Sequence, residues 1–172
     1  MREVSLDVAV SADSAILWRD DRLYLLDQRC LPAREVFIEC PDVRTTAQAI
    51  TAMVVRGAPA IGIAAAYGIV LAARRRHTLD PSGWRVAMEN DLQLLAAARP
   101  TAVNLFWAIT RFRNLIATLG DGDPGPALLA EAQALHRRDR VDNRRMGEFG
   151  AGLLQGPTAV ITHCNAGGLA TG

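Results

Sequence analysis

The sequence predicts an α/β protein in which a small antiparallel sheet and a helical bundle precede the first strand of a Rossmann-like domain. Short runs of β-branched and aromatic residues, separated by turn residues, extend as far as Cys40. From Asp42 onwards apolar residues recur every three to four positions, which is the helical period. After Gly156 and Pro157, an apolar run at residues 158–164 opens onto a glycine-rich stretch at residues 165–172, as strands do at α/β ligand sites.

Three strands are predicted in the N-terminal sheet. Residues 15–18 and 22–26 flank Asp20 and Asp21, an acidic pair that suits a tight hairpin turn. Residues 36–40 form a third strand, which ends at Pro41 because proline has no N–H to donate to a sheet.

Five helices are predicted after the sheet, at residues 44–55, 59–75, 81–98, 101–119 and 125–154. The first begins after a plausible Asp or Thr cap. Residues 120–126 form a loop rich in glycine, aspartate and proline. The predicted domains are therefore a strand and helix-bundle domain at residues 1–155 and the start of an incomplete Rossmann-like catalytic domain at residues 156–172. A lone strand buries little surface, so we expect the chain to be the front portion of a longer polypeptide.

Composition excludes several classes of function. The chain has 50% hydrophobic residues and a net charge of +1, so no strong field attracts nucleic acid or an anionic membrane. No apolar run reaches the roughly 18 residues of a membrane span, and the charged N-terminus does not fit a signal peptide. The three cysteines lack CxxC spacing and indicate free thiols in a cytoplasmic protein. No metal-binding or nucleotide-binding pattern is present, so no cofactor is expected.

An oxyanion site is one interpretation of Arg56 and Gly57. Pro59 suits the first position of a helix, so both residues lie just outside that helix's positive end. Free N–H groups and a guanidinium fork there favour a phosphate. The alternative is a tight connector beside a helix whose small residues serve close packing.

Arg99 repeats this arrangement, since it directly precedes a helix that Thr101 is expected to cap. Two arginines at two helix starts are able to converge on one charged ligand. The alternative for Arg99 is an exposed charge at a helix end.

Cys164 is the candidate nucleophile or acid, because a thiol beside the N–H groups of a glycine-rich turn has its thiolate favoured. The alternative is a small buried apolar residue. His163 is adjacent, but neighbouring residues of a strand point to opposite faces, which argues against a Cys–His pair. Cys30 and Cys40 are expected to be inert.

Several charged features are predicted to face solvent. They are the run Arg74 to Arg76 at a helix end, the histidines His77 and His136, and the mixed charges of residues 139–150.

Four segments together resemble the methylthioribose-1-phosphate isomerases of methionine salvage. They occur in order at residues 55–62, 99–105, 143–148 and 162–171. The resemblance implies an aldose–ketose isomerase that converts 5-methylthioribose 1-phosphate into 5-methylthioribulose 1-phosphate without a metal or organic cofactor, as a homodimer. It implies that Arg56, Gly57, Ala58 and Arg99 bind the phosphosugar and that Cys164 is catalytic.

The resemblance also sets a limit and leaves alternatives. Members of this family are much longer, and their second half supplies a catalytic aspartate, so we expect little turnover from these 172 residues alone. The same superfamily includes ribose-1,5-bisphosphate isomerase and the regulatory subunits of translation initiation factor 2B, which act by binding partners. Residues 56–62 together with Cys164 favour the methylthioribose enzyme.

Overall fold

The structure is a computed structural model that describes residues 1–154, 156–163 and 166–172. Its strands are β1 (Arg2–Val4), β2 (Ile16–Arg19), β3 (Arg22–Leu26) and β4 (Phe37–Cys40). Its α-helices in the described part of the chain are α1 (Val43–Thr51), α2 (Ala58–Leu79), α3 (Trp84–Ala98), α4 (Val103–Thr118) and α5 (Gly125–Leu153). Short 3-10 turns occur at Ala12–Ser14 and Gly168–Ala170. No helix among these residues is both long and apolar enough to cross a bilayer.

The sheet is antiparallel throughout, with the strand order β1-β4-β3-β2. Asp20 and Asp21 have φ angles of 50° and 59°, the left-handed pair that a two-residue hairpin turn requires, which confirms the predicted hairpin. The β1 strand was not predicted, because its three residues, two of them charged, are too few to show an alternating pattern. Arg2 of β1 lies opposite Glu39 of β4, and its guanidinium forms an ion pair with the buried Glu39 carboxylate. Arg22 of β3 forms a second ion pair with the same carboxylate.

The α2 helix is the centre of the bundle. Every residue from Ala60 to Ala73 is buried, because α1, α3, α4, α5 and the sheet all pack around it. A helix that is covered on all sides has to be apolar on all sides, which this segment is. Gly62 permits the close approach of α4, since a Cβ there would lie 2.9 Å from the Asn104 carbonyl oxygen.

The five predicted helices are confirmed, with shifted boundaries. Asp42 caps α1 as expected, accepting a hydrogen bond from the Thr45 N–H at 2.8 Å. The α3 helix begins three residues later than predicted because the Asp80 carboxylate accepts from the Ser82 and Gly83 N–H groups and forms a turn there.

The prediction that the arginine run of α2 faces solvent is wrong for two of its members. Arg74 donates to Asp21 at 2.6 Å and lies over the Trp18 ring at 5.5 Å. Arg76 donates through two nitrogens to the buried Asp91 of α3, at 2.7 and 3.1 Å. The helix therefore continues to Leu79, because packing against the sheet and α3 holds its last turns.

The structure assigns no strand to residues 156–163, where the sequence predicted one at residues 158–164. Val160 and Ile161 are exposed instead. A strand forms only where a neighbouring strand takes up its backbone hydrogen bonds, and none of the described strands β1 to β4 pairs with this segment. The Rossmann-like domain beginning at residue 156 stays a prediction, as does the domain boundary near residue 155.

Substituting Gly62 by Ala tests the close contact between α2 and α4. The added methyl group meets a backbone carbonyl that has no freedom to rotate away, so we expect the free energy of unfolding to fall by about 1–3 kcal/mol. The matched control is Gly147→Ala in α5, where a Cβ meets nothing within 4 Å and should raise stability by about 0.5–1 kcal/mol. Urea unfolding measures both, and equal effects of the two substitutions would contradict the packing argument.

Candidate functional site

The start of α2 presents a cation beside free backbone donors. Gly57 is the N-cap residue with a φ of +94° and offers no side chain, and Pro59 is the second helical residue rather than the predicted first. The first N–H groups of a helix have no partner within it. The Nε atom of Arg56 is buried and has no hydrogen-bond partner among the described residues. A buried donor without a hydrogen-bond partner destabilises the folded chain, so this guanidinium favours the binding of an anionic ligand.

Gly57 is glycine for a steric reason as well as a conformational one. A Cβ at this position would lie 2.3 Å from the carbonyl oxygen and 2.5 Å from the Cα of Ala170. The backbone near residue 170 therefore lies directly on the start of α2. The structure thus brings the glycine-rich stretch that follows Cys164 to the Arg56 segment, although the two are more than a hundred positions apart in the sequence.

Two side chains hold this glycine-rich stretch. Gln28, which follows β3, donates from Nε2 to the Leu169 carbonyl oxygen at 2.7 Å. Asp139 of α5 accepts from the Gly172 N–H, also at 2.7 Å. Gln28 lies in no sequence motif, and Asp139 was predicted only to face solvent within residues 139–150. No local signal reveals either contact, because both join distant parts of the chain.

The predicted catalytic residue Cys164 lies outside the described residues. His163 is exposed in the structure. The roles assigned to Cys164, Arg56, Gly57, Ala58 and Arg99 stay predictions.

Arg99 lies at the C-terminal end of α3 and is half-buried. Its carbonyl oxygen accepts from the Ala102 N–H at 3.0 Å, and Ala102, not Thr101, is the residue before α4. The expected Thr101 cap is therefore wrong, because the turn leaves Thr101 exposed. The Arg99 side chain forms no ion pair within the described ranges, so its charge is available to a ligand.

A cavity of about 360 Å³ lies where the first turns of α2 and α4 face α5. Its apolar lining comes from Pro59, Ile63, Trp107 and Leu135. Its polar lining comes from Asn104, Arg138, Asp139 and Asp142. This volume and this mixture of surfaces are typical of small-molecule sites.

A larger cleft of about 720 Å³ lies across α5 and the glycine-rich stretch. Its arginines are Arg137, Arg140, Arg144 and Arg145. Arg140 pairs with Asp13 at 2.8 Å, and the other acidic lining residue is Glu148, so cations are in excess. Charged residues of the 139–150 segment, which were predicted to face solvent, thus form one wall of this cleft, because residues 168–172 fold against them.

His136 is buried, and the prediction that it faces solvent is wrong. Its Nδ1 lies 3.1 Å from the Tyr67 hydroxyl, and Tyr67 stacks on Trp18 at 5.3 Å. Burial, with help from Arg140 and Arg137, lowers the pKa of His136 to about 4, so the ring is neutral at pH 7. Burial also raises the pKa of Tyr67 to about 12. The packing of α5 on α2 creates this environment, which no local pattern reveals.

Cys40 is unsuited to catalysis, and the surroundings of Cys30 do not favour a bound metal ion. Burial raises the pKa of the Cys40 thiol to about 12. Cys30 lies near Glu3 and Asp27, with ligand atoms within 4.8 Å of one another. Arg29 already donates to both oxygens of the Asp27 carboxylate and lowers its pKa. Arg34 pairs with Glu3, so arginines neutralise the acidic groups that a cation would need.

Comparisons with known proteins agree on one family. The model of the initiation factor 2 subunit family matches residues 54–171. A methylthioribose-1-phosphate isomerase of Thioalkalivibrio sulfidiphilus is 54% identical over 166 residues, which are 96% of this chain and 47% of that protein. One of Methylococcus capsulatus is 53% identical over 164 residues, 95% of this chain and 46% of that protein. The chain therefore spans about half the length of these curated relatives.

Two solved structures share the fold. The 5-methylthioribose 1-phosphate isomerase of Pyrococcus horikoshii superposes with a TM-score of 0.82 at 35% identity, covering 91% of this chain and 45% of that one. The delta subunit of translation initiation factor eIF-2B from A. fulgidus superposes with a TM-score of 0.79 at 44% identity, covering 91% and 46%.

The burial of His136 predicts a pH dependence of stability. Its pKa is about 4 in the folded chain, below the ordinary value of 6.5, so the unfolded chain binds more protons between these pH values. Stability should be complete above pH 6.5 and fall by on the order of 3 kcal/mol as the pH approaches 4. His136→Gln, which keeps a partner for the Tyr67 hydroxyl, should flatten that slope in urea unfolding.

The control is His163→Gln, which removes a histidine from an exposed stretch and should leave the slope unchanged. An equally steep slope in His136→Gln would show that another group titrates.

Proposed function

Because this chain belongs to the initiation factor 2 subunit family, we propose that it carries part of the active site of a methylthioribose-1-phosphate isomerase. The proposed reaction converts 5-methylthioribose 1-phosphate into 5-methylthioribulose 1-phosphate in methionine salvage, and several curated relatives are named for it. One observation carries the proposal: the buried, unpartnered Arg56 Nε lies at the α2 start, against which the stretch after Cys164 packs.

The substrate phosphate binds at the start of α2 in this proposal. Gly57 leaves the first backbone N–H groups accessible, Ala58 supplies one of them, and the Arg56 guanidinium adds a charged donor. The helix dipole and these donors all favour the same doubly charged group. Binding there satisfies the donor that folding leaves unpaired.

Arg99 supplies the second charge. The first turns of α2 and α4 meet at Gly62 and Asn104, and Arg99 immediately precedes the turn into α4. An arginine at each helix start is able to hold an anionic sugar from two sides. The nearby cavity of about 360 Å³, where the first turns of α2 and α4 face α5, is lined by Pro59 and Asn104 rather than by either arginine, and it is large enough for a pentose.

Cys164 acts as general acid or base on C1 or C2 in this proposal. The 1-phosphate blocks the anomeric oxygen, so the sugar ring opens only if a proton reaches the ring oxygen as its bond to C1 breaks. One hydrogen then moves from C2 to C1, and the C2 hydroxyl loses its proton as the C2 carbonyl of the ketose forms. The proton lost there matches the one that the ring oxygen gained, so these steps balance without an external oxidant or reductant, and a thiol of ordinary acidity is able to transfer the proton.

The remaining parts of the proposal follow the family. They are a cytoplasmic homodimer, a Rossmann-like domain that begins at residue 156, and no requirement for a metal or organic cofactor. The small net charge of +1 supports a small phosphosugar rather than nucleic acid or a membrane as the binding partner.

A binding role without catalysis is the second candidate function. The similarity to the eIF-2B delta subunit of A. fulgidus favours it, because the fold agrees over 91% of this chain. A ribose-1,5-bisphosphate isomerase is a further alternative that would use the same helix starts. Turnover of each phosphosugar distinguishes the three, since a regulatory subunit converts neither.

The test of the proposed chemistry is turnover of 5-methylthioribose 1-phosphate by the full natural polypeptide that contains this sequence. Cys164→Ala should lower kcat by at least about 100-fold while substrate still binds, because general acid–base catalysis is worth that much. Arg56→Ala and Arg99→Ala should mainly weaken binding, by about 10-fold or more each, because each removes a charged donor from the phosphosugar.

Matched controls are Cys30→Ala and Arg113→Ala. Arg113 is half-exposed and pairs with Glu89 away from the α2 start, so neither control should change kcat or KM. An unchanged rate in Cys164→Ala would show that its assigned role is wrong.

A further inference from the structure

Gln28 joins two segments that the proposed function brings to one site. Its N–H donates to the Val54 carbonyl oxygen at 3.1 Å, two residues before Arg56. Its side-chain amide donates to the Leu169 carbonyl oxygen at 2.7 Å. One residue therefore fixes the arginine-bearing segment through its main chain and the glycine-rich segment through its side chain.

The loop that carries Gln28 is itself fixed. The preceding Asp27 is fully buried, donates from its N–H to the Val36 carbonyl oxygen, and accepts from Arg29 at 2.6 and 2.8 Å. Movement of Gln28 would break these contacts. Gln28 is therefore a rigid reference point for the two segments that it joins.

Asp139 holds the other end of the same segment. Its carboxylate accepts from the Gly172 N–H at 2.7 Å. Gly172 is buried, and a Cβ there would lie 2.6 Å from His136 and 2.8 Å from Ile63, so only glycine fits against α5 and α2.

Between these two hydrogen bonds, Ala170 is buried against Gly57 at the start of α2. Residues 166–172, called the 166–172 loop below, are thus held at Leu169, Ala170 and Gly172. In the sequence, Cys164 is only two residues before this loop.

We propose that Gln28 and Asp139 are positioning residues, which hold the 166–172 loop on the start of α2 and so fix the backbone of this loop relative to the Arg56 segment. The inference rests on the proposed function of Arg56 and Cys164. Gln28 acts through the loop backbone and lines no part of the cavity of about 360 Å³, whereas Asp139 both accepts from the Gly172 N–H and lines that cavity.

The expected effect is on the chemical step rather than on binding. Misplacing a reacting group by about 1 Å is able to cost on the order of 100-fold in rate. Gln28→Met keeps the length of the side chain but has no donor, so we expect a kcat about 10- to 100-fold lower with KM changed less than about threefold. Gln28→Lys keeps a donor on a side chain of similar reach and should restore most of kcat.

Asp139 supplies an independent pair of variants. Asp139→Asn keeps an acceptor for the Gly172 N–H and should retain a higher kcat than Asp139→Leu. Asp139→Leu removes the acceptor and should behave like Gln28→Met. The matched control is Gln93→Met, which changes an exposed glutamine of α3 and should leave kcat and KM unchanged.

The experiment measures kcat, KM and the iodoacetamide alkylation rate of Cys164, read by peptide mass mapping, in the full natural polypeptide. Loss of a tether should raise the alkylation rate at least threefold, because a loosened loop exposes the thiol more often. The donor-retaining and acceptor-retaining variants should alkylate at the wild-type rate.

Equal kcat and equal alkylation in all variants would overturn the inference. So would a loss of kcat in Gln28→Met that Gln28→Lys does not restore, because that pattern indicates general damage to the fold. A wild-type protein without turnover would instead defeat the proposed function. The alkylation rates would still show whether Gln28 and Asp139 fix the loop. If the Gln28 variants or the Asp139 variants fail to fold, the other pair of variants tests the inference.

Discussion

The structure depends on the complete burial of α2. Residues Ala60 to Ala73 are covered on every side, so this helix fixes the positions of the other four helices in the described part of the chain and of the sheet. Small residues make that possible: Gly62 and Gly68 leave no room for a Cβ against α4 and α1. Because interiors are close-packed, the start of such a helix is held in place as firmly as its middle.

A rigid central helix with an open first turn has a direct chemical consequence. The N–H groups of that turn have no helical partners, and the covering elements do not supply one for Arg56 Nε. The same elements enclose the Tyr67–His136 pair, where burial keeps the imidazole neutral at pH 7. The start of α2 is therefore electropositive. The 166–172 loop is held against it by hydrogen bonds from residues outside this helix.

Local sequence signals succeeded where the chain interacts with its near neighbours. The Asp20-Asp21 hairpin and the Asp42 cap were predictable, because a turn and a cap involve residues at most three positions apart. Local signals failed where the position of a side chain depends on a partner far away in the sequence. His136 and Arg76 were predicted to face solvent, but His136 lies within hydrogen-bond distance of Tyr67 and Arg76 donates to Asp91. β1 carried no pattern because its partner strand is more than thirty positions away.

The sequence by itself determined the antiparallel hairpin, the order and type of the five helices, and the arginine, glycine and cysteine motifs of the candidate site, because periodicity, turn chemistry and short motifs are local properties. Only the tertiary structure decided that the glycine-rich stretch lies on Gly57, that Gln28 and Asp139 hold it, and that Arg56 Nε stays unpaired. Each of these facts is a contact between residues far apart in the chain, and such contacts exist only once α2 is buried and the segments around it have been brought together.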